Sequence, residues 1–145
     1  MNDKMNDRLK FRVWDEESSE YLVWGYTPDY QLEIDLKSGK LVWQSVPDDE
    51  DEYPKELDTK HLVIEQCTGL KDKNGKLIYE GDILALSYQA GWQPILGVVK
   101  FDEKEACFLL SKNEKDKTPQ SFWWNEGKEV IGNLHKNPEL LEKEK

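Results

Sequence analysis

The sequence predicts a mainly β protein, and three of its features carry that expectation. Apolar and polar residues alternate through Leu9-Lys-Phe-Arg-Val-Trp14, and Tyr30, Leu32, Ile34 and Leu36 recur at the same period of two, the spacing that turns one face of a strand to a core. Short apolar runs continue down the chain, separated by glycine, proline and asparagine turns. The stretch from Cys67 to Ile83 sets Gly69, Gly75, Gly81 and the tight-turn pair Asn74-Gly75 between two such runs.

Taken in order, Leu9 to Trp14 forms a half-buried strand with Leu9, Phe11 and Val13 on one face and Arg8, Lys10 and Arg12 on the other. A polar turn over Asp15 to Glu20 returns the chain into a second strand, Tyr21 to Tyr26, which closes a hairpin. Asp29 to Leu36 and Lys40 to Val46, separated by Ser38-Gly39, form another. Pro47 to Asp58 is a solvated or partly disordered loop carrying Asp48, Asp49, Glu50, Asp51 and Glu52, and the first seven residues are disordered. That loop divides an N-terminal sub-domain, 1–60, from a C-terminal one, 61–145.

In the second region Leu62 to Cys67, Asp82 to Tyr88, Ile95 to Phe101 and Ala106 to Leu110 are strands, with one or two more at Phe122-Trp-Trp124 and Val130-Ile131. Together they predict a small barrel or sandwich. Gly81 permits a tight bend, and Asp82 accepts bonds from turn amides. Asn137-Pro138-Glu139 presents a capping asparagine, a proline at the first helical position and an acidic first turn, so a short helix ends the chain.

At 145 residues the chain suits one domain, or two small cores. It has no apolar run near the ~20 residues of a membrane helix, and its N-terminus has no secretory apolar region, so a cytoplasmic protein with two free thiols, Cys67 and Cys107, is expected. The net charge of −10 is lopsided. Residues 1–66 carry 8 Lys/Arg against 17 Asp/Glu, and residues 67–145 carry 12 against 13. Sustained phosphate contact needs clustered basic residues, so direct nucleic-acid binding is not expected.

Phe11-Arg-Val-Trp-Asp15, Thr68-Gly-Leu-Lys-Asp-Lys-Asn-Gly75 with Ile78-Tyr-Glu-Gly-Asp-Ile83, and Val130-Ile-Gly-Asn-Leu134 with Asn137-Pro-Glu-Leu-Leu141 stand in the order seen in the YopX family of phage and prophage proteins, which the chain resembles over nearly its whole length. The stretches from Tyr26 to His61 and from Lys112 to Gln120 carry no matching motif. The resemblance implies an N-terminal coiled or bifurcated antiparallel sheet, a C-terminal SH3-like barrel and origin in a Gram-positive phage. It implies no activity and brings no catalytic residues.

A search for chemistry in the residues returns little. Cys67, Cys107, His61 and His135 lack the close pairing of zinc ligands, and both cysteines fit as buried small hydrophobes. Cys67 with His135 could act as nucleophile and base only if folding joined them. An EF-hand count from Asp48 puts Tyr53 where glycine must turn the chain and Thr59 where a glutamate must coordinate. There is no phosphate-binding loop. Six tryptophans are many for this length; most should fill sheet faces, while adjacent Trp123 and Trp124, read on a strand, should point one ring into the core and the other to an interface.

These readings converge on a non-catalytic protein without cofactor or metal. It acts through protein contacts that include self-association, with Trp123 and Trp124 as the candidate interface. The alternative is an acidic nucleic-acid mimic that occupies a host DNA-binding enzyme through Asp48, Asp49, Glu50, Asp51 and Glu52.

Overall fold

A computed structural model describes residues 7–50 and 52–142. The expected disorder of the first residues therefore lies, for residues 1–6, outside the described part. The chain divides into two units: residues 12–64 form one, and among the described residues 7–11 join 65–142 in the other. The early segment belongs with the later half because Cys67 N–H donates to the Lys10 carbonyl at 2.8 Å and Gln66 Nε2 donates to the Arg8 carbonyl at 2.8 Å.

In the unit of residues 12–64, β1 (Phe11–Asp15) pairs antiparallel with β2 (Glu20–Leu22), setting Val13 opposite Leu22 and Trp14 opposite Tyr21. The expected alternation does not hold at its ends. Leu9 lies ahead of the strand and is exposed, while Val13, Trp14 and Asp15 are buried in succession. Asp15 tolerates burial because its carboxylate accepts bonds from Glu17 N–H and the Ser18 hydroxyl, both at 2.9 Å, and so closes the turn.

The second expected strand is split. Gly25, at φ +84°, turns the chain out of β2, and β3 (Gly25–Tyr26) pairs instead with β4 (Tyr30–Ile34). β4 then forms the expected hairpin with β5 (Leu41–Ser45), giving the order β3-β4-β5 around buried Leu32. The loop after Pro47 is less open than its composition suggests. Ser45 N–H donates to Lys55 O and Leu57 N–H to Trp43 O, each at 2.8 Å, so residues 55–57 run along β5.

β6 (Leu62–Lys71), which belongs to the other unit from Glu65 onward, folds back on β7 (Leu77–Tyr79) through the Asn74-Gly75 turn. Asp72, buried just after β6, organises this turn. Its Oδ1 accepts from Asn74 N–H and Lys76 N–H, both at 2.9 Å, and its Oδ2 accepts from Val130 N–H at 3.0 Å. β8 (Asp82–Leu86), β9 (Ile95–Asp102), β10 (Cys107–Ser111) and β11 (Glu129–Asn133) form an antiparallel sheet in the order β10-β9-β8-β11. β8 is buried at every position because it is flanked on both edges, as its unbroken apolar run suggests. The core gathers Ile78, Leu84, Leu86, Val99, Leu110 and Phe122.

The fold is therefore mainly β, with antiparallel sheets, one of them curled into a half-barrel, and a short C-terminal helix, α1 (Glu139–Glu142). Some local expectations change. Cys107 is exposed rather than buried, because it opens β10 beside the β9–β10 turn. The Asn137 side chain reaches back to accept from Asn133 N–H at 3.2 Å instead of capping α1. Phe122-Trp-Trp124 is not a strand: Phe122 enters the core and the two tryptophans form a turn.

Gly81 is buried at φ +83°, its N–H bound to Val99 O and its carbonyl to Leu134 N–H, and a Cβ there would run into the Glu65 carboxylate. Left-handed strain of ~1–3 kcal/mol then adds to overpacking, so Gly81→Val should lower the melting temperature by well over 5 °C, at several degrees per ~1 kcal/mol. A melting temperature within about 2 °C of the parent would contradict this assignment.

Burial alone would push the Asp72 carboxyl up, but the bonds from Val130, Lys76 and Asn74 outweigh it and hold the group below its ordinary 3.8. A carboxyl more acidic folded than unfolded stabilises the fold above its unfolded value, and the contribution is lost as pH falls through the lower folded one. Asp72→Asn removes one acceptor oxygen, so it should cost about 1–3 kcal/mol at neutral pH, and the gap from the parent should narrow in acid. Urea titrations at pH 7 and pH 3 measure both. A gap unchanged between them would show that the charge contributes nothing.

Candidate interaction surface

Three of the six tryptophans are on the surface, against the expectation that most would pack inside. Trp14 is 6% exposed, whereas Trp92, Trp123 and Trp124 are 69%, 67% and 47% exposed. The aliphatic side chains of β7 to β10 together with Phe122 already fill the core of their unit, which leaves these indoles no interior to occupy. All three lie on two loops, 87–94 between β8 and β9 and 121–128 ahead of β11.

The two loops are tied together, and Tyr88 and Trp124 meet across them as one aromatic shelf. Asn125, 3% exposed, donates from Nδ2 to the Ser87 carbonyl at 3.2 Å and so fixes the second loop against the start of the first. Its Oδ1 has no hydrogen-bond partner, yet a flipped amide would set oxygen against the Ser87 carbonyl, so the orientation is decided by that bond. Next to Ser87, the Tyr88 ring stands 5.6 Å from that of Trp124 at an angle of 53°. Trp124 Nε1–H donates to Ser121 Oγ at 3.1 Å, which orients the indole from its edge and leaves its faces apolar. Lys128 Nζ turns inward to the Asn125 carbonyl at 2.9 Å and the Trp123 carbonyl at 3.4 Å.

The far end of the second loop is held by the glycine-rich motif. Lys73 N–H donates to the Lys128 carbonyl at 2.9 Å, and Lys73 Nζ pairs with Glu129 at 3.0 Å. Phe122, almost fully buried, pins the near end. Between these anchors Trp123 and Trp124 both face outward, so the expected division of one core ring and one surface ring does not occur. The flanking Ser121 and Asn125-Glu-Gly127 are turn-forming residues, a signal against the strand that the aromatic run alone obscures.

The other candidate residues lie elsewhere. Asp48, Asp49, Glu50 and Glu52 are exposed, and Asp51 lies outside the described residues. His61 Nε2 approaches Asp15 Oδ1 at 3.5 Å and Glu17 at 3.7 Å, but Ser18 donates to Asp15 and not to the histidine. A nucleophilic triad needs the histidine between hydroxyl and carboxylate, so this order does not activate Ser18. His135 pairs with buried Glu65 at 3.2 Å. Burial pushes the Cys67 thiol up, away from a reactive thiolate. Among the described residues no three His, Cys, Asp or Glu side chains gather as a metal site, and no helix is long and apolar enough to cross a membrane.

Truncation should separate anchor from surface. Phe122→Ala is expected to cost about 3–5 kcal/mol in chemical denaturation, while Trp123→Ala and Trp124→Ala should each cost less than ~1 kcal/mol. A large loss from either tryptophan variant would place that ring in the core.

Comparison with known proteins adds the lineage. A protein of Enterococcus faecalis, EF1440, has a crystal structure that matches at 26% identity and a TM-score of 0.53, covering 91% of this chain and 96% of that one. The yopX protein of Bacillus subtilis matches at 23% identity and a TM-score of 0.59, covering 92% and 98%, and at that identity it speaks for the fold alone. No curated protein matches the chain. The family described as YopX protein matches residues 10–142, nearly the full length, and the chain belongs to that family.

Proposed function

We propose that this YopX-family chain works without catalysis, as an accessory protein of a phage or prophage. It acts in the cytoplasm through protein contacts, self-association among them, with Trp123 and Trp124 at the contact surface. The observation that supports this reading is the shelf itself. Large rings held in place by Asn125, Ser121 and Phe122 but left open to solvent resemble the anchors of protein interfaces, where tryptophan and tyrosine supply contact area at low entropic cost.

A second reading, mimicry of nucleic acid by the acidic run, rests on the exposure of Asp48, Asp49, Glu50 and Glu52 in the half of the chain with the large negative excess. The two separate cleanly. Sedimentation across a range of concentrations, with affinity capture from a bacterial lysate, should show association that Trp123→Ala and Trp124→Ala weaken. Replacing residues 48–52 by Ser and Gly should leave it intact. Capture of a DNA-binding enzyme that is lost in the 48–52 variant and weakens steeply with salt would favour mimicry. Association indifferent to both tryptophan changes would overturn the shelf as contact surface.

A further inference from the structure

We infer that Asn74, in the only Asn-Gly pair of the chain, is a deamidation site, and that the hydrogen bonds centred on Asp72 withhold it from that reaction while the β6–β7 turn is closed. The modification needs no enzyme. Water is its co-reactant and ammonia its leaving group.

Deamidation begins when the main-chain nitrogen that follows an asparagine loses its proton and attacks the side-chain amide carbon. Glycine in that following place obstructs the attack least, because it has no Cβ. The new C–N bond closes a succinimide ring as the amide C–N bond breaks and ammonia departs, and water then opens the ring. Nothing is oxidised or reduced. Opening at the carbonyl that came from the side chain gives aspartate, whereas opening at the main-chain carbonyl gives isoaspartate, whose main chain carries an extra methylene.

The turn meets one requirement of this chemistry and denies the other. Asn74 is exposed and Gly75 has open space around it, so water reaches both. Gly75 N–H, whose proton must leave, instead donates to the Asp72 carbonyl at 3.0 Å, and the N–H groups of Asn74 and Lys76 are both held by Asp72 Oδ1 at 2.9 Å. These bonds keep the proton on the attacking nitrogen and fix the peptide groups around Asn74, so the nitrogen cannot swing onto the amide carbon until they open.

Opening of the turn is not a private event. Asp72 Oδ2 also holds Val130 N–H at 3.0 Å, and Lys73 N–H donates to the Lys128 carbonyl at 2.9 Å, so an opening wide enough for ring closure loosens the start of β11 as well. The rate of modification therefore reports the local opening of this clamp. Isoaspartate then makes the opening permanent: its extra methylene displaces Gly75 and Lys76 along the chain, and their N–H groups no longer meet the Asp72 acceptors together. The step is irreversible, so a transient opening becomes a lasting loss of the contact that joins the hairpin to β11. Aspartate at the same place adds only a surface charge and leaves the turn intact.

The test is peptide-mapping mass spectrometry of the full chain kept in mildly alkaline buffer, native and urea-unfolded in parallel, with isoaspartate scored by enzymatic methylation. Ammonia loss should map to Asn74 and run at least ~10-fold slower in the native sample than in the unfolded one. The isolated isoaspartyl form should melt at least ~5 °C below the parent, while Asn74→Asp should melt within about 2 °C of it. Asp72→Ala, checked for folding by near-ultraviolet dichroism, should bring the native rate within ~3-fold of the unfolded one. If that variant does not fold, the parent in urea below its main transition decides instead, and its rate should climb ahead of that transition. No modification at Asn74 in the unfolded chain, native and unfolded rates within ~3-fold in the parent, or an isoaspartyl form that melts with the parent overturns the inference. So does a rate that Asp72→Ala leaves unchanged, or one that stays flat in urea until the whole chain unfolds.

Discussion

The carboxylate of Asp72 holds the larger unit together. It is buried, and the cost of burying a charge is met by bonds from backbone N–H groups that would otherwise be left unpaired in the turn and at the start of β11. Two of these bonds close the β6–β7 hairpin. The third reaches 58 residues along the chain to Val130, where β11 begins, and β11 in turn completes the edge of the curled sheet. One side chain thus joins a local turn to a long-range strand pairing.

The aromatic shelf inherits that anchorage. The residue after Asp72 donates its backbone N–H to Lys128, which ends the loop carrying Trp123 and Trp124, while its ammonium pairs with Glu129. Phe122 in the core and Asn125 on the Ser87 carbonyl complete the frame. Exposed rings held by buried neighbours have little conformational freedom left to lose.

Three other aspartates also serve the backbone. Asp15 closes the β1–β2 turn and Asp35 the β4–β5 turn, and Asp82 accepts from Tyr79 N–H beside the Gly81 bend. In Asp15, burial pulls the carboxyl up and the bonds from Ser18 and Glu17 together with His61 pull it further down. The acidity of the chain is thus partly a matter of turn construction, aspartate being the residue that supplies acceptors to turn amides at short range.

Local rules made much of this protein legible from its residues. The Asn74-Gly75 hairpin, the Gly81 bend with Asp82 behind it, the β4–β5 hairpin and the buried run of β8 each follow from spacing and backbone preference within a few residues. Where burial depends on partners distant in the chain, the sequence misled. Trp123 and Trp124 look like strand residues because aromatic runs favour strands, yet Phe122 alone fits the space left by Leu84, Leu86, Val99 and Leu110, so the pair is turned outward. Cys107 lies in an apolar run but opens its strand at an exposed turn. Tyr88 and Trp124 are 36 positions apart, and no periodicity could predict that their rings meet. That contact, and the Asn125 bond that secures it, are decided only when the sheet brings the two loops to the same end, because core volume and long-range pairing belong to the folded chain as a whole.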